Sequence, residues 1–214
     1  MMERRERYRG PPRRRDYRSG QKKKKQFIKK FREVLILDLL MHGHPEEDKP
    51  SWAKNPIAQV LTFPDFVLYE VKAYKNSDLR VQDQKTYEEF LNEEKLKEVI
   101  KKIDYGDLTN TSKALIQPIL EAELLKFEEE FIKFFNNSTS ITPRMHALKL
   151  LPGIGQKHMW EILEARERQK FVTFQDITDR TSISNPIKLL ASRIIKELQR
   201  DVKYYLFSKT HKYE

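Results

Sequence analysis

The segment LPGIGQKHMW (residues 151–160) contains two of the six glycines in this 214-residue chain, directly before an amphipathic helical pattern. A turn of this kind can point several backbone N–H groups outward at a helix start, where the helix dipole favours an anion. Glycine permits positive φ and carries no Cβ that would hold a phosphate away. The segment therefore predicts a phosphate-binding site formed by Gly153, Ile154, Gly155, Gln156, Lys157 and His158.

A second interpretation of the same pattern is purely structural. A glycine pair can end one helix and start the next without binding any ligand.

The glycine turn and the helices on either side of it form one unit. Residues 184–198 resemble a second, degenerate copy of this unit, with Asn185 and Pro186 where a glycine turn would be expected. We expect this copy to support the first one rather than bind phosphate.

Positive charge is concentrated in the N-terminal tail. Residues 1–30 carry 14 Lys and Arg against three acids, whereas the remaining 184 residues carry 28 bases and 29 acids. With almost no aliphatic side chains, residues 1–26 are predicted to be disordered when free, and they suit a polyanion partner. A solvated tail without a ligand is the alternative. The expected RNA contacts of the tail are Arg4, Arg5, Arg7, Arg9, Arg13, Arg14, Arg15, Arg18, Lys22, Lys23, Lys24 and Lys25.

Other kinds of chemistry have weaker support in the sequence. The chain has no cysteine, which excludes disulfides, cysteine-ligated zinc and thiol nucleophiles. His42 and His44 share a polar loop with Glu46, Glu47 and Asp48, but two histidines without a third fixed ligand are more typical of a turn than of a metal site. No nuclease-like carboxylate cluster, P-loop or dinucleotide-binding glycine pattern is present. We therefore expect no metal, no cofactor and no catalytic residues.

Residues 27–105 are predicted to form a small OB-like β-barrel. β-Branched and apolar residues predict strands over 33–40, 57–63 and 66–74, with a long polar loop at 42–56. In the third strand Leu68 departs from the alternation of apolar and polar residues. A helix around 88–103 is expected to close the barrel.

Helical periodicity dominates the rest of the chain. Residues 106–140 are predicted to be connecting helices, with Pro118 as the first residue of the second one. The apolar–Gly–apolar–Gly pattern in LPGIGQKHMWEIL (151–163) resembles a helix-hairpin-helix motif, and this resemblance implies binding of nucleic-acid phosphates without sequence readout. Residues 141–214 are predicted to be an all-α helix-hairpin-helix domain. Its helices are expected to start at Thr142-Pro143, after Gly155, after the segment KFVTFQDI (170–177) and at Pro186, and the C-terminal KYYLF segment to form a short strand or a docked tail.

Several segments together resemble a known family. HGHP after the first strand, YGDLT (105–109), ITPRMHALKLLPGIGQKHMWEILEARE and KYYLF occur in the same order in the archaeal family known as domain of unknown function 655. The resemblance covers roughly residues 30–207. It implies an OB-like barrel joined to a helix-hairpin-helix domain, a role in RNA binding, and genes placed near those for ribosomal proteins and rRNA modification.

The sequence thus predicts an α+β protein with a small OB-like β-barrel, an all-α helix-hairpin-helix domain and a disordered basic N-terminal tail. The expected function is non-enzymatic RNA binding, with rRNA and the ribosome as partners. One alternative is a DNA-binding repair or processing factor, an enzyme or enzyme subunit, using the same hairpin. The other is a protein-interaction adaptor in which the hairpin only packs. The longest apolar stretch, Val34–Met41, is far too short to span a bilayer. We therefore expect a cytoplasmic protein with no membrane partner.

Overall fold

The computed structural model describes residues 28–29, 32–44, 50 and 54–209. The basic tail, with every arginine and lysine expected to contact RNA there, lies outside these residues. Within them the protein is a mixed α+β structure, as expected. No helix of the described part is long and apolar enough to cross a membrane.

Five antiparallel strands form the main sheet. They are β1 (Glu33–Leu40), β2 (Ile57–Phe63), β3 (Val67–Ala73), β4 (Gln84–Thr86) and β5 (Leu96–Lys102). Their order across the sheet is β4-β1-β2-β3-β5. The three strands predicted from β-branched and apolar residues are confirmed.

Both faces of this sheet are covered, which explains why Leu68 breaks the alternation in β3. Val34 and Ile36 belong to an apolar cluster on one face, and Leu35, Leu37 and Leu68 belong to a second cluster on the other. A strand buried on both faces has no solvent side that requires polar residues. Leu68 is therefore an ordinary core residue.

The predicted helix over 88–103 is wrong beyond its first residues. A short helix, α1 (Tyr87–Asn92), starts at a capping box formed by Thr86 and Glu89, and β5 follows it. Glu94 has a φ of +52°, which ends the helical path before the chain turns back. Residues 96–102 pair with β3 despite their three helix-forming lysines and one glutamate, because tertiary pairing outweighs intrinsic propensity.

The sheet is open, so the expected closed barrel is not found. β4 and β5 are its two edges, and no pairing joins them in the described part of the chain. β4 contributes only three residues before α1 carries the chain out of the sheet. Closure would need a longer β4 running alongside β5.

Two helices connect the sheet to the rest of the chain: α2 (Asn110–Lys126) and α3 (Glu128–Asn137). The prediction that Pro118 starts a separate helix is wrong, since α2 runs straight through it. Proline removes one backbone hydrogen bond from a helix interior. Burial of Ile116, Leu120 and Leu124 against the sheet and the later helices keeps α2 continuous.

The C-terminal part contains three further helices: α4 (Gln156–Arg168), α5 (Phe174–Arg180) and α6 (Pro186–Leu198). Pro186 lies in the first turn of α6, as predicted. The helix expected from Thr142-Pro143 is wrong: β6 (Ser140–Thr142) and β7 (Met145–His146) form a small hairpin there, followed by a 3₁₀ helix over Ala147–Leu150. Pro143 occupies the turn of that hairpin, where its fixed φ is favourable.

The C-terminal segment is docked, which confirms one of the two expected alternatives. Glu197 on α6 accepts backbone N–H groups from Leu206, Phe207 and Ser208. The Phe207 ring lies 5.1 Å from that of Phe134, centroid to centroid. One large apolar cluster runs from the sheet through α2 to α6, so the sheet and the helices share a core.

Candidate nucleic-acid interface

The two glycines differ in what the fold requires of them. Gly153 has a φ of +85°, in the left-handed region that L side chains rarely adopt, so the turn itself needs glycine there. Gly155 has a φ of −86° and a ψ of −171°, which any residue can adopt. A Cβ built on Gly155 would meet no atom within 4 Å. The fold therefore explains Gly153, while the space beyond Gly155 is open to solvent.

The N-terminus of α4 carries no side-chain cap. Gly155 is its N-cap residue and has no side chain that could accept the first N–H groups of the helix. By contrast, four other helices begin after a residue whose side chain accepts an N–H of its own first turn. These residues are Thr86, Thr109, Thr173 and Asn185. Because Gln156 and Lys157 are exposed, the first turn of α4 can offer its amides to an anion.

The side chains of the predicted site do not all face solvent. Ile154 is only 6% exposed and belongs to the core, and its backbone N–H donates to the Leu151 carbonyl at 3.1 Å, so neither its side chain nor its N–H is open to a ligand. His158 places Nδ1 3.0 Å from the Gly153 carbonyl oxygen. Since a carbonyl only accepts, Nδ1 carries the proton and donates it. His158 thus fastens the turn to the first turn of α4.

Three lysines surround the turn, and the sequence pattern indicated only one of them. Lys157 is 84% exposed, with Nζ 3.8 Å from a Glu161 oxygen. Lys149 donates to Oε1 of Gln156 at 3.3 Å. Lys188, at the start of α6, lines a groove of about 200 Å³ together with Gly153 and His158. Lys149 lies four residues before Gly153 in the sequence, whereas Lys188 lies far along the chain, so only the fold reveals the proximity of Lys188.

One acidic residue lies close to these lysines. The Ser182 side chain and backbone N–H both donate to Glu161, and these hydrogen bonds hold the pKa of its carboxyl group below the ordinary value. Glu161 therefore stays ionised at neutral pH. Its charge offsets part of the Lys157 charge, and it ties the loop before α6 to α4.

Residues 184–198, predicted to be a degenerate second unit, begin beside the glycine turn. The other wall of the groove comes from the loop before α6, which includes Ser182, Ser184 and Asn185. The Asn185 side chain accepts the Lys188 N–H at 2.9 Å and so satisfies an amide that would otherwise be open to a ligand. This capping is a physical reason for the supporting role expected of the second unit.

Of the two histidines in the loop after β1, His44 belongs to a polar cluster around Glu70, away from the glycine turn. Nε2 of His44 lies 3.0 Å from Oε2 of Glu70, a carboxylate that is only 1% exposed on β3. Lys101 Nζ lies 3.6 Å from the same oxygen, and Gln59 Nε2 lies 3.3 Å from Oε1. His42 is exposed. In the described residues no group of three His, Cys, Asp or Glu is placed to hold a metal ion; Glu46, Glu47 and Asp48 lie outside them.

Two sequence segments that are far apart in the chain meet at this cluster. Gln59 accepts the Thr109 N–H at 3.0 Å and donates to the Asp107 carbonyl, also at 3.0 Å. Thr109 Oγ1 donates to Asp38 at 2.6 Å. The YGDLT segment and the HGHP loop are thereby joined through Gln59 and Glu70. Sequence reasoning missed Glu70, because nothing in a strand pattern marks a buried carboxylate.

Comparison with known proteins identifies the family. The model of the protein family described as "Protein of unknown function (DUF655)" matches residues 31–209. The chain belongs to this family. The DUF655 match includes both the glycine turn and the His44–Glu70 cluster. Residues 1–30, with a net charge of +11 against −1 for the rest of the chain, lie outside it.

Relatives from archaea agree with this assignment. The chain is 37% identical over 205 residues to the uncharacterized protein MJ0038 of Methanocaldococcus jannaschii, covering 92% of this chain and 91% of that protein. It also matches the crystal structure of Af1531 from Archaeoglobus fulgidus, a DUF655 protein, with 34% identity and a TM-score of 0.73. That match covers 83% of this chain and 99% of Af1531, so the described architecture is shared with another DUF655 protein.

Proposed function

We propose that this DUF655 protein is a non-enzymatic RNA-binding protein that holds a backbone phosphate at the start of α4. The observation that carries the proposal is the uncapped α4 N-terminus with open space in front of Gly155. Backbone amides and the helix dipole favour an anion at such a point. In this proposal the two neighbouring units, one with Gly153–Gly155 and one with Asn185-Pro186, are an active and a degenerate helix-hairpin-helix motif.

The proposed site combines local charge with a separate source of attraction. Lys149, Lys157 and Lys188 surround the turn, and Glu161 offsets part of their charge. Residues 1–30 hold a much larger excess of positive charge. We infer that the tail supplies most of the salt-dependent attraction, while the turn fixes the position of the backbone. Folded rRNA in the cytoplasm is the RNA class we propose, with the ribosome as its setting.

Fluorescence anisotropy with a labelled rRNA fragment tests the phosphate site. Gly155→Ala adds a methyl group to the open space in front of the turn, at a φ that alanine adopts without strain. We expect weaker RNA binding with little change in stability, since the lower chain entropy of alanine and its poorer N-cap preference act in opposite directions. Gly106→Ala is the matched control, because a Cβ there also meets no atom within 4 Å.

The result that would overturn the phosphate site is equal RNA affinity for the wild type, Gly155→Ala and Gly106→Ala. A salt titration gives a second readout. Loss of one phosphate contact should reduce the slope of log K against log salt by about 0.7 for single strands. Lys157→Ala should produce such a reduction, and Lys133→Ala, an exposed lysine on α3, should not.

A DNA-binding repair or processing factor is the second candidate. The groove between the two units favours it, because Lys188 and the glycine turn line the same groove and provide two separate contacts for a DNA backbone. Titrating duplex DNA and the rRNA fragment against the same protein decides between them. Tighter binding of the duplex DNA at equal salt would replace RNA with DNA as the proposed ligand. If the rRNA fragment binds more tightly, crosslinking of bound RNA in cells, followed by sequencing, tests the rRNA assignment.

An open OB-like sheet is the finer description of the N-terminal part that we propose. The order β4-β1-β2-β3-β5 places β1 and β4 side by side, as in a five-stranded Greek-key barrel that is open between β4 and β5. In this description the barrel would be incomplete because β4 is short, and the shared core with α2 takes over part of the covering role.

A further inference from the structure

Trp160 is an exposed tryptophan one turn into α4. Its exposed fraction is 52%, whereas α4 buries Met159, Ile162 and Ala165 against the core. Tryptophan is highly buried on average in folded proteins. Among the residues that the structure describes, no ring–ring or cation–π contact involves Trp160. The indole therefore presents aromatic surface that the fold itself does not use.

The position of Trp160 brings this surface close to the proposed phosphate site. Gln156 and Lys157 precede it by four and three residues, so all three lie on one face of the helix. The rise from Gln156 to Trp160 is about 6 Å. Long side chains in a helix point back toward its N-terminus, which directs the indole over the first turn of α4. Lys157 and Lys149 place positive charge beside that turn.

We propose that Trp160 is a stacking platform for an unpaired nucleobase next to the phosphate held at the α4 N-terminus. This inference rests on the proposed function and narrows its ligand class to single-stranded or loop RNA. Positive charge and open amides attract a polyanion, and an aromatic face one turn away suits the base carried by the same strand. Because every base has a π-face, the contact gives little sequence preference.

Substitutions at Trp160 separate stacking from simple apolar contact. The probes are a labelled single-stranded polyuridine oligonucleotide and a blunt RNA duplex of the same length. Trp160→Ala and Trp160→Leu should each weaken polyuridine binding by about 5- to 150-fold, because both remove the aromatic face. Trp160→Phe should keep part of the affinity. Val172→Ala, at a residue that is 68% exposed near the start of α5, is the control and should bind as the wild type does.

Intrinsic fluorescence gives a direct readout of the same contact. The chain has two tryptophans, Trp52 and Trp160, so Trp52→Phe leaves a single reporter. Polyuridine should quench this emission, whereas the blunt duplex should quench it weakly because its bases are already stacked. The affinity measurements use the wild-type residue at position 52, so they decide the question even if Trp52→Phe does not fold.

The outcomes distinguish a failure of stacking from a failure of the proposed function. If all three Trp160 variants bind polyuridine like the wild type while Gly155→Ala binds it more weakly, the stacking proposal is overturned and the phosphate site stands. Wild-type binding by Trp160→Leu, or equal quenching by duplex and polyuridine, would also overturn stacking of an unpaired base. If neither Trp160 nor Gly155 affects binding, both proposals fail.

Discussion

At the scale of single residues, His146 links a local hydrogen bond to the pH dependence of stability. Burial, and secondarily the neighbouring Arg166 charge, lower the pKa of His146 below its ordinary value, although a backbone hydrogen bond with Ser138 acts in the opposite direction. Its Nδ1 accepts the Leu148 N–H at 3.1 Å, which requires the neutral ring. His146 thereby caps the 3₁₀ helix that leads to the glycine turn.

We predict that this histidine makes the protein less stable in mild acid. Its folded pKa is lower than its unfolded pKa, so below the unfolded value of about 6.5 the unfolded chain binds the proton that the folded chain excludes. The contribution of His146 to stability is complete at neutral pH and decreases as pH falls below that value. In urea unfolding, His146→Asn should lose less stability than the wild type between neutral and mildly acidic pH. Parallel pH profiles for the two proteins would contradict this.

At the scale of elements, α2 stays continuous although it contains Pro118 in its interior. Pro118 is exposed in the helix interior, and it removes the hydrogen bond that residue 118 would donate to the Ala114 carbonyl. Pro118→Ala restores that bond and loses little packing. Alanine is about 3 kcal/mol more favourable than proline in a helix interior. Replacing proline also gives the unfolded chain more freedom, which costs about 1 kcal/mol. The free energy of unfolding should therefore rise by roughly 2 kcal/mol.

Thermal unfolding measures this prediction. For a chain of this size, the gain corresponds to an increase of roughly 4–8 °C in Tm. Thr111→Ala, at an exposed position near the start of the same helix, is the control and should gain no more than about 0.7 kcal/mol, because it changes helix propensity alone. A Tm for Pro118→Ala at or below that of the wild type would show that the proline is needed where it lies.

The same scale shows where sequence reasoning succeeds. Strands β1 to β3 are rich in β-branched and apolar residues, and α6 has both an asparagine cap and a first-turn proline, so local signals and tertiary context agree. Residues 96–102 and Thr142-Pro143 are ambiguous locally. Pairing with β3, far away in sequence, decides the first segment, and a short local hairpin decides the second. The six residues predicted to hold a phosphate are contiguous, so a single sequence pattern names them all. No sequence pattern names Lys188 or the His44–Glu70 pair, because the fold alone brings their partners together.

At the scale of the whole molecule, a buried ion pair on α6 links the segment before the glycine turn to the C-terminal segment. Arg193 and Glu197 on α6 are 5% and 0% exposed, with Nε and Oε1 2.9 Å apart. Arg193 also donates to the carbonyl of Leu150, just before the glycine turn. The C-terminal segment that Glu197 holds continues to the β2–β3 turn, where Ser208 Oγ donates to the Phe66 carbonyl at 3.0 Å.

Glu197→Gln should therefore have effects well beyond α6. It leaves Arg193 buried without its counter-charge, which costs about 3–5 kcal/mol when one partner of a buried pair is removed. It also replaces the carboxylate that accepts three N–H groups of the C-terminal segment by an amide, whose NH₂ group cannot accept them. Hydrogen exchange should accelerate at the backbone N–H groups of Leu206, Phe207 and Ser208. The free energy of unfolding should fall by about 3–5 kcal/mol.

A comparison with Lys209→Ala isolates the role of the buried carboxylate. The Lys209 side chain is 39% exposed and pairs with the buried Asp65 at the surface end of the same segment. Because Asp65 keeps its ion pair with Arg32 at 3.0 Å, Lys209→Ala should cost only about 1 kcal/mol. If Lys209→Ala and Glu197→Gln destabilise equally, the segment is held by its surface end and the assignment to Glu197 is wrong. If Glu197→Gln alone has the large effect, the position of the glycine turn depends on it too, since Arg193 holds Leu150. RNA affinity should then fall in Glu197→Gln even though residue 197 is buried and touches no ligand.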